Sequence, residues 1–168
     1  SLTENYLYTV EGFADYLNSL KPGGLLVANR WLQVPPSEEL RTFAVIAAAL
    51  EQTGRVPVEA HVLAFRSMRT ATFIVGEQPL TPDEIAQARR FMDERGFDPI
   101  LYLGVKPEEV NRFNLLPEPV YYESFQRLLA DPARALADYE FDVRPPTDDR
   151  PFFFHYFKWR QAPEIVAT

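Results

Sequence analysis

The sequence predicts an α/β fold with a small sheet, flanking helices and an irregular, aromatic-rich C-terminal extension. Apolar residues recur every three or four positions in some segments and every second position in others, which separates amphipathic helices from strands. The two kinds of segment alternate along the first half of the chain, an order typical of layered α/β proteins. Residues 66–69 form a short polar break between two strand patterns, and so short a connection requires antiparallel neighbours. We therefore expect about three strands, two of them in a hairpin.

The first predicted elements are a helix, a strand and a second helix. Apolar spacing predicts the first helix over 6–20, which the glycine pair at 23 and 24 ends. The run 25–28 is apolar at every position, which is typical of a strand covered on both faces. The second helix is predicted to begin after its N-cap, Ser37, and to end at Gly54.

The hairpin and a third helix follow. Residues 58–65 have the period of two that predicts a strand, and 70–75, after the polar break, predicts the second. The stretch Thr81-Pro82-Asp83-Glu84 combines an N-cap threonine, a first-turn proline and the glutamate of a capping box. This combination predicts a helix that begins there and ends at Gly96.

The part of the chain after the third helix is less regular. Short helices are predicted over 121–129 and 131–139, while 97–120 and 140–168 show no sustained period. We expect residues 81–168 to form a helical and irregular extension that packs on the α/β part, residues 1–80.

Composition excludes several classes of function. The chain has 168 residues, a net charge of −7 and no cysteine. Without cysteine there is no disulfide scaffold, cysteine nucleophile, thiolate metal site or iron–sulfur cluster. The negative charge argues against nucleic acid as a partner. No apolar run reaches the length of about 18 residues that spans a bilayer, so we expect no membrane segment in this chain and a cytoplasmic location.

Three motifs together resemble a known family. They are Thr3-Glu4-Asn5-Tyr6 before the first helix, Leu20-Lys21-Pro22-Gly23-Gly24 before the first strand, and Thr147-Asp148-Asp149-Arg150-Pro151 near the end. The chain resembles the C-terminal half of a spermidine-synthase-like domain with the class I S-adenosylmethionine-dependent methyltransferase fold. The resemblance implies a partial Rossmann-like methyltransferase sheet and a transferase that moves a methyl or an aminopropyl group.

The same resemblance implies that the cofactor lies elsewhere. In this family a glycine-rich turn after the first strand and an acidic residue after the second hold S-adenosylmethionine or its decarboxylated form. Here the glycine pair follows a helix and precedes a strand, which is the reverse order. We expect no cofactor site in this chain, which would be inactive without a missing N-terminal half. The alternative is a non-catalytic binding or assembly module on the same scaffold.

The family's strand order implies an exposed sheet edge. It places strand 25–29 beside strand 70–75, with strand 58–65 at the outer edge. Strand 25–29 then has no neighbour on its other side, and an open apolar edge is a template for pairing with another chain. We expect self-association through the 25–29 edge, or an edge covered by the chain's own tail.

The end of the first strand carries the first candidate substrate-binding residues. Open α/β sheets bind ligands at the carboxyl ends of their strands. Arg30 is a candidate for binding a substrate carboxylate, Trp31 for lining the pocket and Asn29 for orienting a polar group. The alternative is local: Trp31 packs under the prolines that follow, and Arg30 pairs with Glu38 or Glu39.

Two further clusters are candidates. Glu4, Asn5 and Tyr6 open the first helix, at an end that borders the substrate pocket in the family; the alternative is capping, since a carboxylate suits a helix N-terminus. In the turn of Asp148, Asp149 and Arg150, adjacent carboxylates suit a polyamine, while a metal needs further ligands around them. The alternative is a structural turn. The sequence predicts no metal site, because neither histidine has an acidic residue at a ligand spacing.

Overall fold

The computed structural model describes residues 3–158. Its strands are β1 (Leu25–Trp31), β2 (Val62–Arg66), β3 (Thr70–Gly76) and β4 (Asp98–Leu101). Its α-helices are α1 (Val10–Ser19), α2 (Glu38–Gln52), α3 (Val58–His61), α4 (Pro82–Arg95), α5 (Val120–Ala130) and α6 (Pro132–Asp138). Single 3₁₀ turns cover Tyr6–Tyr8 and Pro107–Glu109.

The four strands form one open antiparallel sheet in the order β1-β3-β2-β4. Both β1 and β2 pair antiparallel with β3, so they run in the same direction, and α2 lies in the connection between them. The predicted pairing of 25–29 with 70–75 is confirmed. The prediction that 58–65 forms the outer edge is wrong, because β4 pairs with the far side of β2.

Local sequence chemistry explains where the elements differ from the predictions. β4 lies in the segment 97–120, which is predicted to be irregular. The strand has only four residues, contains Pro99 and is buried at every position, so its sequence shows no alternation. The predicted strand 58–65 begins as the single helical turn α3, and only its second half is β2. The capping box of Thr81 and Glu84 is confirmed. Ser37 does occupy the N-cap of α2, but its hydroxyl donates to Gln33 rather than capping the helix.

The two faces of the sheet are covered unequally. One face packs against α1, α2 and α5 in the main core, where the Phe43 and Phe125 rings stack at 4.3 Å and Phe125 lies 6.0 Å from Phe73. On the other face α4 covers only the β2 side, with Met92 packed against Leu63. The prediction that strand 25–28 is covered on both faces is therefore wrong, because the second face of β1 is exposed.

The outer edge of β1 is open within residues 3–158. The Leu32 amide donates to Arg69 and the Glu77 amide donates to Gly24, which places the bonded pairs at the even-numbered residues of β1. The backbone N–H and C=O groups of Leu25, Val27, Asn29 and Trp31 therefore point away from the sheet, and of these the Asn29 carbonyl accepts from Arg30 Nη1 at 2.6 Å. The apolar side chains of this set are 49%, 55% and 63% exposed, in chain order.

Candidate functional site

Two of the predicted clusters meet at the N-terminus of α1. The backbone amide of Asn5 donates to the Pro151 carbonyl at 2.7 Å. The Thr9 hydroxyl donates to Asp148 Oδ1 at 2.7 Å, and the Asp148 amide donates to Glu11 Oε2 at 3.1 Å. The structure thus joins the segment of residues 4–6 to the turn of residues 148–150, which the sequence places more than a hundred positions apart.

The side chains of residues 4–6 make local contacts. Asn5 Oδ1 accepts from the Leu7 amide at 3.2 Å and caps the 3₁₀ turn that follows. The Tyr6 hydroxyl donates to Glu4 Oε2 at 3.2 Å, and this hydrogen bond raises the pKa of Tyr6. Glu4 and Tyr6 are exposed. These contacts fit the capping alternative and leave two exposed polar groups at this end of α1.

The cluster at the end of β1 is divided between two environments. The Arg30 guanidinium lies 4.1 Å from the Tyr8 ring centre, and its Nε lies 3.8 Å from Glu38 Oε1. Arg30 therefore lies on the core face and forms the local ion pair. Asn29 accepts from the Thr72 hydroxyl at 2.6 Å, and Trp31 is exposed on the open face of the sheet rather than packed under the prolines.

Arg41 on α2 is a buried charge that sequence reasoning missed. Its side chain is 3% exposed, and its two terminal nitrogens donate to the carbonyls of four residues in the C-terminal segment: Asp142, Phe152, Phe153 and His155. Burial lowers its pKa to about 10, so the guanidinium stays charged at neutral pH. The only sequence signal is that Arg41 stands between Leu40 and Thr42 in a predicted helix. The structure shows that residues 39–46 of this helix are all buried.

Glu39, in the first turn of α2, is a second buried ionisable group. It is fully buried, and neither carboxylate oxygen has a hydrogen-bond partner within residues 3–158. Burial raises its pKa to about 8, although nearby backbone amides of Ser37 and Gln33 oppose the rise. Glu39 is therefore mostly protonated at neutral pH.

The unpartnered buried side-chain atoms of the described residues gather around the start of α2. Besides the Glu39 carboxylate they are Arg30 Nε, Arg41 Nε and the Tyr156 hydroxyl. The Arg41 guanidinium lies 4.4 Å from the Tyr156 ring centre. Burial raises the pKa of Tyr156, and the nearby charge of Arg41 opposes the rise. We call these four residues the α2 cluster.

The α2 cluster combines two cations with two neutral proton donors. Their unpaired atoms are removed from water, so the cluster holds hydrogen-bonding capacity that the described residues do not use. A metal has no comparable site: no group of three or more His, Cys, Asp or Glu residues is placed for one within residues 3–158. The glycine pair lies in the turn between α1 and β1, and Gly23 takes a positive φ there, as a tight turn requires.

None of the helices in the described part of the chain is both long enough and apolar enough to cross a membrane. Comparisons with protein-family models, with curated proteins and with solved structures find no match for this chain. Any function must therefore be argued from the sheet and the residues around it.

Proposed function

We propose that this chain is the substrate-side half of an S-adenosylmethionine-dependent transferase, and that a second half completes its sheet and binds the cofactor. The observation that carries the proposal is the open edge of β1. The reaction moves a methyl or an aminopropyl group, as the sequence resemblance implies.

The open edge has the chemistry of an interrupted sheet. Four residues of β1 direct their backbone groups away from β3 and also expose their side chains: Leu25, Val27, Asn29 and Trp31. Natural edge strands are usually protected by charges, prolines or bulges. None of these four residues is charged or a proline, and the pairing of β1 with β3 is regular over seven residues. Such an edge favours a further strand beside it.

The strand order supports a transferase-like sheet. β1 and β2 run in the same direction with α2 between them, and β3 lies between the two strands in the opposite direction. The resemblance implies this neighbour relation for strands 25–29 and 70–75. A completing strand would lie parallel to β1 on its open side.

The position of the α2 cluster supports a substrate-side role. Arg30 lies near the carboxyl end of β1 and contacts both Tyr8 and Glu38, so the starts of α1 and α2 lie at that end of the sheet. Open α/β sheets bind ligands at this end. Arg30 would therefore be the member of the α2 cluster nearest the region in which a cofactor-bearing half meets this one.

Calorimetric titration with S-adenosylmethionine and with methylthioadenosine tests the proposal. We expect the chain alone to bind neither ligand with a Kd below about 100 μM, about −5.5 kcal/mol. Coexpression with the N-terminal half of a spermidine-synthase-like domain should give a complex that binds. Binding by the chain alone would overturn the half-domain proposal, and a complex that forms without binding either ligand would overturn the transferase.

A non-catalytic assembly module is the second candidate. It is favoured by two contacts that join the segment before α1 to the turn of residues 148–150: the Asn5 amide donates to the Pro151 carbonyl, and the Thr9 hydroxyl donates to Asp148. In this function the β1 edge pairs with a second copy of the chain. Light scattering should then show a dimer or larger species that Val27→Lys converts to a monomer, while the exposed turn variant Met68→Lys leaves it intact. A wild-type monomer whose odd-numbered β1 amides exchange rapidly would contradict self-association.

A further inference from the structure

A cationic cleft lies between the C-terminal segment and α2. Its inner part is a cavity of about 180 Å³ whose charged and ionisable lining consists of Arg41, Asp142, Arg144, Arg150 and His155. The chain as a whole carries a net charge of −7. Within this lining three arginines outnumber one carboxylate, against the negative balance of the chain.

The cations of the cleft are neutralised to different degrees. Arg144 donates to both Asp142 oxygens, at 2.8 and 2.6 Å, and so uses the one carboxylate of the lining. Arg41 lies 4.0 Å from the same carboxylate and donates to backbone carbonyls, while its Nε has no partner in the described part of the chain. The structure gives the Arg150 side chain no hydrogen bond or ion pair within residues 3–158. The charge of Arg150 is thus available to a ligand.

The inner cavity adjoins a larger one with an apolar side. This second cavity, of about 660 Å³, shares Asp142, Arg144, Arg150 and His155, and adds Leu136 and Phe157. Lys158 also lines it, with its ammonium group on carbonyls at the end of α6, including that of Ala137 at 2.9 Å. A ligand that fills both cavities needs an anionic group at one end and an apolar body at the other.

We propose that this cleft binds a phosphate monoester with an apolar body. The phosphate group binds to Arg150 and His155 in the inner cavity, and the apolar body packs against Leu136 and Phe157 in the outer one. A guanidinium presents several N–H groups in a plane and binds phosphate oxygens in pairs, which suits Arg150 to this ligand. The inference is independent of the proposed transferase, because it uses neither the β1 edge nor a cofactor.

Calorimetry with three probes at constant ionic strength tests the cleft: phenyl phosphate, inorganic phosphate and benzoate. We expect phenyl phosphate to bind most tightly, and Arg150→Gln to weaken it by about fivefold or more. Arg90→Gln removes the same charge from an exposed site on α4 and should leave binding unchanged. Phe157→Ser should weaken phenyl phosphate but not inorganic phosphate.

Three results would overturn the proposal. One is the absence of phenyl phosphate binding at concentrations up to about 10 mM, the range in which a single weak anion site is still detectable. Another is equal loss of affinity in Arg150→Gln and Arg90→Gln, which would indicate a general charge effect. The third is benzoate binding as tightly as phenyl phosphate, which would contradict selectivity for phosphate.

Discussion

Two fully buried carboxylates, Asp98 and Glu39, lie in opposite kinds of surroundings. Asp98, at the start of β4, accepts backbone N–H groups from Arg112, Phe113 and Asn114 at 2.6, 2.9 and 2.7 Å and lies 3.3 Å from Arg66 Nη2. Glu39 has no hydrogen-bond partner within residues 3–158. The first carboxylate organises the loop that wraps around it, whereas the second is held in place by the packing of α2.

The same contrast appears in the pKa values. Burial alone would raise the pKa of Asp98, but the backbone amides and Arg66 outweigh it and lower the value. Burial raises the pKa of Glu39 to about 8 despite the nearby backbone amides, because no cation offsets it. The hydrogen-bonded Asp98 thus stabilises the folded loop around it. The Glu39 carboxyl keeps hydrogen-bonding groups that no described residue uses.

The largest expected effect is the pH dependence that Glu39 imposes on stability. Its folded-state pKa lies above its ordinary value of 4.5, so the folded protein binds the Glu39 proton more tightly than the unfolded chain does. This contribution to the free energy of unfolding is complete below pH 4.5 and is lost as the pH rises to about 8. The corresponding change in unfolding free energy is about 4 kcal/mol. Urea unfolding of the wild type and of Glu39→Gln should show this loss only in the wild type.

Glu51→Gln, at an exposed position of the same helix, is the matched control. It should retain the pH dependence of the wild type. Parallel pH profiles for the wild type and Glu39→Gln would contradict a protonated Glu39.

Asp98→Asn should produce the second largest effect. The amide keeps the shape but loses the charge that balances Arg66 and three backbone N–H groups, so we expect a loss of about 3 kcal/mol in urea unfolding at neutral pH. Asp93→Asn breaks only the exposed ion pair to Arg112, 3.1 Å long, and should cost less than about 1 kcal/mol. Equal losses in the two variants would show that the loop does not depend on the buried carboxylate.

Two tyrosines extend the comparison to neutral groups at a smaller scale. The Tyr102 hydroxyl donates to Glu109 Oε2 at 2.6 Å, whereas the buried Tyr156 hydroxyl has no partner among residues 3–158. Tyr102→Phe should lower the free energy of unfolding, measured by thermal denaturation, by about 1 kcal/mol. Tyr156→Phe should leave it unchanged or raise it slightly. A comparable loss in Tyr156→Phe would mean that its hydroxyl is satisfied in solution.

The sequence was informative where the signal is local. The hairpin of β2 and β3 follows from two predicted strands and the short polar break between them, and the start of α4 follows from the chemistry of Thr81 and Glu84. These features need only neighbouring residues, so no knowledge of the rest of the molecule is required. The pairing of β1 with β3 needed more, and it came from the family resemblance.

The buried charges could not be found in this way. Glu39 lies in the first turn of α2, where carboxylates are usually exposed and favoured by the helix dipole. Arg41 is buried because the C-terminal segment crosses it, and its partners are more than a hundred residues away. An apolar run such as 25–28 likewise indicates only that a strand can be covered. Whether anything covers it depends on neighbours that the run does not encode.

The geometry of β1 restricts how a partner could slide along it. The outward backbone groups and the exposed side chains belong to the same alternate residues, and the even-numbered residues already use their amides on β3. A partner displaced by one residue would find no free amide opposite its carbonyls. Sliding can therefore occur only in steps of two residues, about 7 Å. Each such step removes one of four docking positions, so the shortness of the strand itself selects a single alignment.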